Sequence, residues 1–220
     1  MAQPIILHGH AMGPNPWKVA IVMEELGIPY MHNFLELSEL KKMPYEALNI
    51  NGRVPAIEDP KTGITLWESG AIIQYLVEQY DKEGTLSYAT FPHKHHISQW
   101  LHFQMSGQGP YYGQAAWFCH FHPVTDEAAK TRYKNEIKRV LSVLNRHLKG
   151  RQYLVGDKCT VADLSFVTWD LMIPWIFGEE TEAIEIQKNY PDYYAWHQRL
   201  ISRPHVAKVL ADKVAAKGHH

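Results

Sequence analysis

The sequence predicts an α/β domain of strand–helix–strand, strand–strand–helix order, followed by an all-helical domain. Three observations carry this. Short apolar runs of strand length flank one helical run in the first third of the chain. Residues 51–67, NGRVPAIEDPKTGITLW, read as turn, strand, turn, strand. Past residue 93 apolar residues recur at helical spacing only. Between the two patterns lies DKEGTLSYATFP, residues 81–92, polar and punctuated by Gly and Pro in the manner of a linker. The expected domains are 1–82 and 93–220.

Taken in order, Pro4 to Leu7 is a short buried strand, and HGHAMGPNP is a loop ending at Pro16, a residue suited to the first turn of a helix. Trp17 to Leu26 is helical, and Gly27 stops it. Tyr30 to Leu35 is the second strand; Ser38 to Leu48 is loop and short helix. Ala56–Asp59 and Ile64–Trp67 form a hairpin through Pro60–Gly63, and Ile72, Ile73, Leu76 and Val77 give the next helix its apolar face. This order is the thioredoxin-like arrangement. In the second half, helices are expected over His93–Met105, Tyr111–Phe121, Thr125–Lys149, Leu164–Phe177, Tyr193–Leu200 and Pro204–Val214. Ser106–Pro110 interrupts the first pair, and Thr160 to Asp163 is a capping-box variant.

Composition narrows the function classes. With 220 residues, 45% of them hydrophobic, the chain can bury a sizeable core, and a formal charge of -1 gives no basic surface for nucleic acid or anionic lipid. No apolar run is expected to reach the roughly 18 residues of a membrane span, and the first residues lack the basic and apolar regions of a secretory signal. Cys119 and Cys159 form no CxxC, which suits a reducing, cytoplasmic setting. His93, His95 and His96 follow a proline and read as a solvated helix start, so no metal is expected. The terminal His219–His220 carries no argument. No P-loop, GxGxxG or Ser-His-Asp spacing is present.

Residues 54–69 carry the chemistry. Glu68–Ser69 sets a carboxylate, a hydroxyl and backbone N–H groups at a helix start. That is a site for a small zwitterion, its carboxylate on Ser69 and the N–H groups, its ammonium on Glu68. Val54–Pro55 stands at the mouth of a strand; a cis bond there would turn the Val54 backbone toward an extended ligand. Each feature alone also serves as plain structure, an N-cap or a strand start; the spacing of the two around a hairpin joins them into one site.

PNPWKVAIVMEELGIPY, NINGRVPAIED and LWESGAIIQYL, with WLHFQMSGQGPYYGQ, TRYKNEIKRVLSVLN and YLVGDKCTVADLSFVTW, resemble the glutathione transferase family over nearly the whole chain. PN-x-W-K together with FQ-x-SG-x-x-P-x-x-GQ is similar to the fungal branch of the yeast nitrogen-catabolite regulator and to the bacterial nu class. The resemblance implies a glutathione-binding thioredoxin-like domain, an all-helical domain and a homodimer. It implies that Val54, before a cis Pro55, holds the cysteinyl backbone and that Glu68 and Ser69 hold the γ-glutamyl group. Lys41 and Arg53 fall near the glycine end, and Arg132 reaches the partner subunit's glutathione or, failing that, is a solvated helix-face charge.

No cysteine stands at the start of the first helix, so the reactive thiol has to come from the ligand. Asn15 is the expected catalytic group, its amide donating to the glutathione sulfur; the alternative is an ordinary helix cap before Pro16. A hydrogen bond to the charged form and the helix terminus together lower a thiol pKa by roughly 1.5–3 units. Where nu-class members have a threonine two residues before the asparagine, this chain has Gly13. Tyr111, Tyr112 and Trp117 are expected either to wall an acceptor pocket facing Asn15 or to serve as core or dimer contact. The expected activity is attack of the glutathione thiolate on a small electrophile, or reduction of a disulfide or peroxide, with glutathione as co-substrate. The rivals are a glutathione-binding regulator with little catalysis and a dedicated biosynthetic transferase or isomerase.

Overall fold

The computed structural model describes residues 3–216. His219–His220 lie outside them. The chain forms two compact units. One runs through Ser87 and takes back the chain from Ser202 onward; the other is Tyr88–Ile201.

In the first unit β1 (Ile5–Gly9) leads through α1 (Pro14–Glu25) to β2 (Tyr30–Phe34), then α2 (Tyr45–Leu48), β3 (Ala56–Asp59), β4 (Ile64–Trp67) and α3 (Ser69–Tyr80). The sheet order is β2-β1-β3-β4. β1 and β2 are parallel, as a helical crossover requires, and the other two pairs are antiparallel. Ile5 and Leu7, two residues apart and so on one face of the sheet, are buried along with Val19 and Ile21 of α1 and Ile72, Ile73 and Leu76 of α3. A smaller cluster of Leu40, Tyr45 and Ala56, with Leu35, Leu48, Val54 and Trp67 packed on it, seats α2. This is the thioredoxin-like domain the sequence predicts.

Two features of this unit differ from expectation. The start of the expected linker is folded: the Asp81 carboxylate accepts from the Thr85 N–H (2.6 Å), the Leu86 N–H (3.0 Å) and the Ser87 hydroxyl (2.7 Å), and Leu86 is buried. The last helix, Pro204–Ala216, groups with the first unit rather than with the helices before it. Arg203 grips Glu25 through two hydrogen bonds of 2.7 and 2.6 Å, and Lys208 reaches Glu24 at 3.0 Å. Val206 and Val209 supply the apolar side of that seam.

The second unit is helical throughout: α4 (His93–Phe103), α5 (Gly109–His120), α6 (Glu127–Leu148), α7 (Val161–Leu164), α8 (Val167–Asp170), α9 (Ile173–Phe177), α10 (Ile186–Asn189) and α11 (Pro191–Ile201), leaving α12 for Pro204–Ala216. α6 buries Ile137, Val140, Leu141, Leu144 and Leu148, the predicted stripe, and Asp126 caps it by accepting from the Ala129 N–H at 2.9 Å. α4 and α5 run on through a π-helical turn, Gln104–Gln108, instead of breaking. Pro110 has no N–H to continue an α-helical ladder, and the wider turn absorbs that loss. Inside it Gln104 donates to Gln108 at 2.8 Å, and Gln108 to Asp170 at 2.7 Å.

The expected helix over Leu164–Phe177 is three short ones. Phe166 and Met172 donate three residues back, to Asp163 and Trp169, and Pro174 cannot donate at all. By length and composition Val161–Ile184 would cross a membrane, contrary to the sequence expectation, but 67% of its most apolar window is buried inside the fold. The capping box is present and extended. Asp163, fully buried, accepts from the Thr160 N–H (2.9 Å) and hydroxyl (3.1 Å), the Leu154 N–H (2.8 Å) and Trp196 Nε1 (2.8 Å).

His197 is buried against Tyr193, and burial pushes its imidazole down to about 4 from an ordinary 6.5. Below pH 6.5 the unfolded chain takes up a proton there that the fold refuses. Stability falls as pH drops from 6.5 to 4, by up to about 3 kcal/mol from this residue. Urea unfolding at pH 7 and 4.5 should show His197→Phe losing less stability over that interval than the parent; equal losses would place the acid sensitivity elsewhere.

Candidate glutathione site

Strand and helix ends meet at one end of the sheet, and the pairing register determines which. Ala56 of β3 faces His8 of β1 on one side and Trp67 of β4 on the other. The end of β1, the start of β3 and the end of β4 therefore coincide. Val54–Pro55, just before β3, lies beside Glu68–Ser69, just after β4. Gly9 closes β1, and a Cβ there would come within 2.8 Å of Pro16 Cβ, so only glycine lets the first turn of α1 approach this end.

Asn15 sits in that turn. The residue ahead of the helix is Gly13, which makes no side-chain cap, so Asn15 is inside the helix and is not its cap. Pro14 and Pro16 have no N–H, and the Gly13 N–H donates to the His10 carbonyl at 2.9 Å. Asn15 is thus the residue of this turn that brings both a backbone N–H and a side-chain amide. It is half-buried.

Lys18, one turn further along the same face of α1, is a residue the sequence analysis passed over. It is 1% exposed and donates to Ser69 Oγ at 3.1 Å; Ser69 is 3% exposed. Burial pushes the Lys18 ammonium down to about 7, opposed by the charge of Glu68. The signal was its setting in WKVAIVM, where every neighbour is an interior residue. Glu68 itself has φ 71, a left-handed conformation uncommon outside glycine and worth about 1–3 kcal/mol of strain. Its backbone turns there so that Ser69 enters α3 buried while the Glu68 side chain stays exposed.

The loop before β3 is held from below. Tyr45 Oη and Asn49 Nδ2 both donate to the Arg53 carbonyl, each at 2.6 Å. Val54–Pro55 is cis, as the resemblance implied, with Val54 half-buried and Pro55 buried. Gly52 has φ 60, and a Cβ there would sit 2.9 Å from the Leu40 carbonyl and 3.0 Å from Lys41 Cγ. The stem of Lys41 thus lies against the turn at Gly52, the residue before Arg53; both lysine and arginine are exposed. Tyr45, Asn49 and Lys18 carry no motif of their own, which is why spacing alone did not find them.

The structure therefore brings together Asn15, Lys41, Arg53, Val54, Pro55, Glu68 and Ser69 within the first unit: hydrogen-bond donors at two helix starts, an exposed carboxylate, two cations and one fixed stretch of extended backbone. Such a set suits a short peptide with a zwitterionic head and a second carboxylate. Residues 7–84 match the family model for the N-terminal domain of glutathione S-transferases, and residues 110–204 the model for the C-terminal domain. The chain belongs to the glutathione transferase family. A glutathione S-transferase-like protein, OpS6, of Beauveria bassiana is 45% identical over 97% of both chains. Protein URE2 of Candida maltosa is 33% identical over 95% of this chain and 74% of its own. The crystal structure of the glutathione transferase URE2P6 from Phanerochaete chrysosporium, in complex with oxidized glutathione, superposes with a TM-score of 0.92 at 44% identity, covering 97% of this chain and 98% of that one. The relatives and structural neighbours thus include Ure2-type proteins, the branch that the PN-x-W-K and FQ-x-SG motifs resemble.

In the helical unit the three aromatic residues part company. Tyr112 is 0% exposed, edge-on to Trp169, with its phenol pushed well above the usual value by burial and the nearby Asp170. It is core and cannot wall an acceptor pocket, which corrects the expectation. Tyr111 is half-buried against Tyr133, and Trp117 is 47% exposed and stacked on Phe121. Arg132 is exposed on α6. Both cysteines are free thiols, Cys159 buried and Cys119 half-buried with its pKa raised by burial. Among the described residues no three His, Cys, Asp or Glu side chains gather as a metal site.

Proposed function

We propose that this transferase binds glutathione at this end of the sheet and ionises its thiol at Asn15. The observation that carries the reading is the convergence of the α1 start, the Val54–Pro55 loop and Glu68–Ser69, set by the Ala56 register. Val54 pairs with the cysteinyl backbone, and Ser69 with the N–H groups of α3 takes the γ-glutamyl carboxylate. Glu68 takes the ammonium, and Lys41 and Arg53 take the glycyl carboxylate. The chain has no cysteine beside Asn15, so the attacking sulfur is the ligand's. Its thiolate electron pair forms a C–S bond with an electrophilic carbon whose leaving group departs with its own pair. With a disulfide, the thiolate bonds to one sulfur and the other leaves as thiolate. A peroxide is the third acceptor class. Detoxification of small electrophiles is the role that fits this chemistry.

The working form in this proposal is a homodimer in which Arg132 serves the partner subunit's glutathione. The two free thiols support a cytoplasmic setting. A second reading, a glutathione-binding regulator with little catalysis, is supported by the 33% identity to a protein named URE2; an unshifted thiol pKa in the bound ligand would favour it.

Calorimetric titration with glutathione tests the reading. Binding is expected in the parent, and Ser69→Ala should raise Kd about 10- to 100-fold, the worth of one hydrogen bond to a carboxylate. A folded parent that binds no glutathione would end this assignment.

A further inference from the structure

We infer that Lys18 is a proton-linked positioning residue for the γ-glutamyl end of the ligand: it takes up a proton as the ligand carboxylate docks at Ser69 and holds the Ser69 hydroxyl to donate to that carboxylate. This rests on reading Glu68–Ser69 as the γ-glutamyl site.

The geometry is that of a group buried for a purpose other than packing. Lys18 is 1% exposed on a helix whose neighbouring side chains are apolar, yet its Nζ ends 3.1 Å from Ser69 Oγ. With Ser69 Oγ accepting from Nζ, the hydroxyl proton is directed away from Lys18. An anion accepted by Ser69 then stands about 4–6 Å from Nζ. At that distance an opposite charge raises an amine pKa by roughly 1–3 units. The free protein holds this amine at about 7, so the rise falls across the neutral range.

The surrounding charges permit a clean reading. Glu68, at the start of α3, acts on Lys18 and already favours its charged form. On β1, His8 is tied to Glu58 at 2.8 Å and to Asn33 at 2.9 Å. On α12, Lys208 pairs with Glu24 at 3.0 Å and Asp212 at 3.3 Å, and just before it Arg203 pairs with Glu25. The ligand ammonium partly offsets Glu68, but the carboxylate docks on Ser69, which Lys18 Nζ touches at 3.1 Å, so net uptake is expected.

The test is calorimetry with S-methylglutathione, whose blocked sulfur removes thiol ionisation from the balance. Titrations at pH 8 in buffers of different ionisation enthalpy give the protons exchanged. The parent should take up roughly half a proton, and Kd should weaken about tenfold between pH 7 and 9. Lys18→Met, of similar length and without charge, should lose that uptake while keeping any exchange due to the ligand's own amine; Lys18→Arg should bind without the pH dependence. Tight binding with no uptake in the parent, or the same uptake in Lys18→Met, overturns the role of Lys18 and leaves the glutathione site standing. No binding of S-methylglutathione by the folded parent overturns the site reading and this inference with it.

Discussion

Asn15→Ala is expected to lower kcat/KM for glutathione conjugation by about 10- to 100-fold while Kd for glutathione changes little. In the proposed complex the side-chain amide donates to the sulfur, where charge resides once the thiol ionises, and a hydrogen bond to a charged group is worth about 1.5–3 kcal/mol. The start of α1 adds its helix terminus to this, although Pro14 and Pro16 carry no N–H. What remains after substitution is the helix terminus, worth about 0.3–1 kcal/mol. Steady-state kinetics with 1-chloro-2,4-dinitrobenzene, beside calorimetry of glutathione, separates the two quantities. Unchanged kcat/KM with glutathione bound would remove Asn15 from the chemistry. Parallel loss of both would make it a binding residue. Asn15→Asp, which places an anion beside the thiolate, should be slower still than alanine.

Asp163→Ala is expected to cost the protein about 3–5 kcal/mol of stability, a large part of the roughly 5–15 kcal/mol that a folded protein has. One buried carboxylate satisfies four donors, from Thr160 (two), Leu154 and Trp196, and thereby joins three parts of the helical unit: the loop after α6, the start of α7, and α11. Alanine orphans all four where Asp163 is now fully buried. The burial that raises the Asp163 pKa also makes those orphaned donors expensive. Urea unfolding followed by far-ultraviolet circular dichroism should show an earlier midpoint, and Asp163→Asn should recover part of the loss through its remaining acceptor oxygen. A midpoint within error of the parent would mean that the network carries no weight.

The first unit was legible in the sequence for a local reason. Its elements are short and separated by turn residues with one conformational use, such as Asn51–Gly52 and Pro60–Gly63, so period and punctuation together locate them. The site was legible where a motif spans it, in Val54–Pro55 and Glu68–Ser69. Lys18 was missed because a lysine in a helix is ordinarily solvated, and only the third dimension shows that its stem runs inward to Ser69. Tyr112 was misplaced because an aromatic stripe at helical spacing does not say which members face in; the π-helical turn at Gln104–Gln108 shifts the phase of α5 against α4, and spacing cannot foresee that. The break-up of the expected helix over 164–177 was hidden by the predominance of apolar residues there. The return of α12 to the first unit depends on pairs such as Glu25 with Arg203, far apart in the chain and joined by no local signal.

The central claim is that this fold ionises a ligand's thiol without a cysteine of its own. Ultraviolet titration of the thiolate in the protein–glutathione complex, near 240 nm against the S-methylglutathione complex, tests it most directly. The bound thiol is expected to titrate roughly 1.5–3 units below the free thiol, rising toward the free value in Asn15→Ala. A bound thiol that titrates at the free value in the parent would contradict it, and would leave a glutathione-binding protein whose function is something other than transfer.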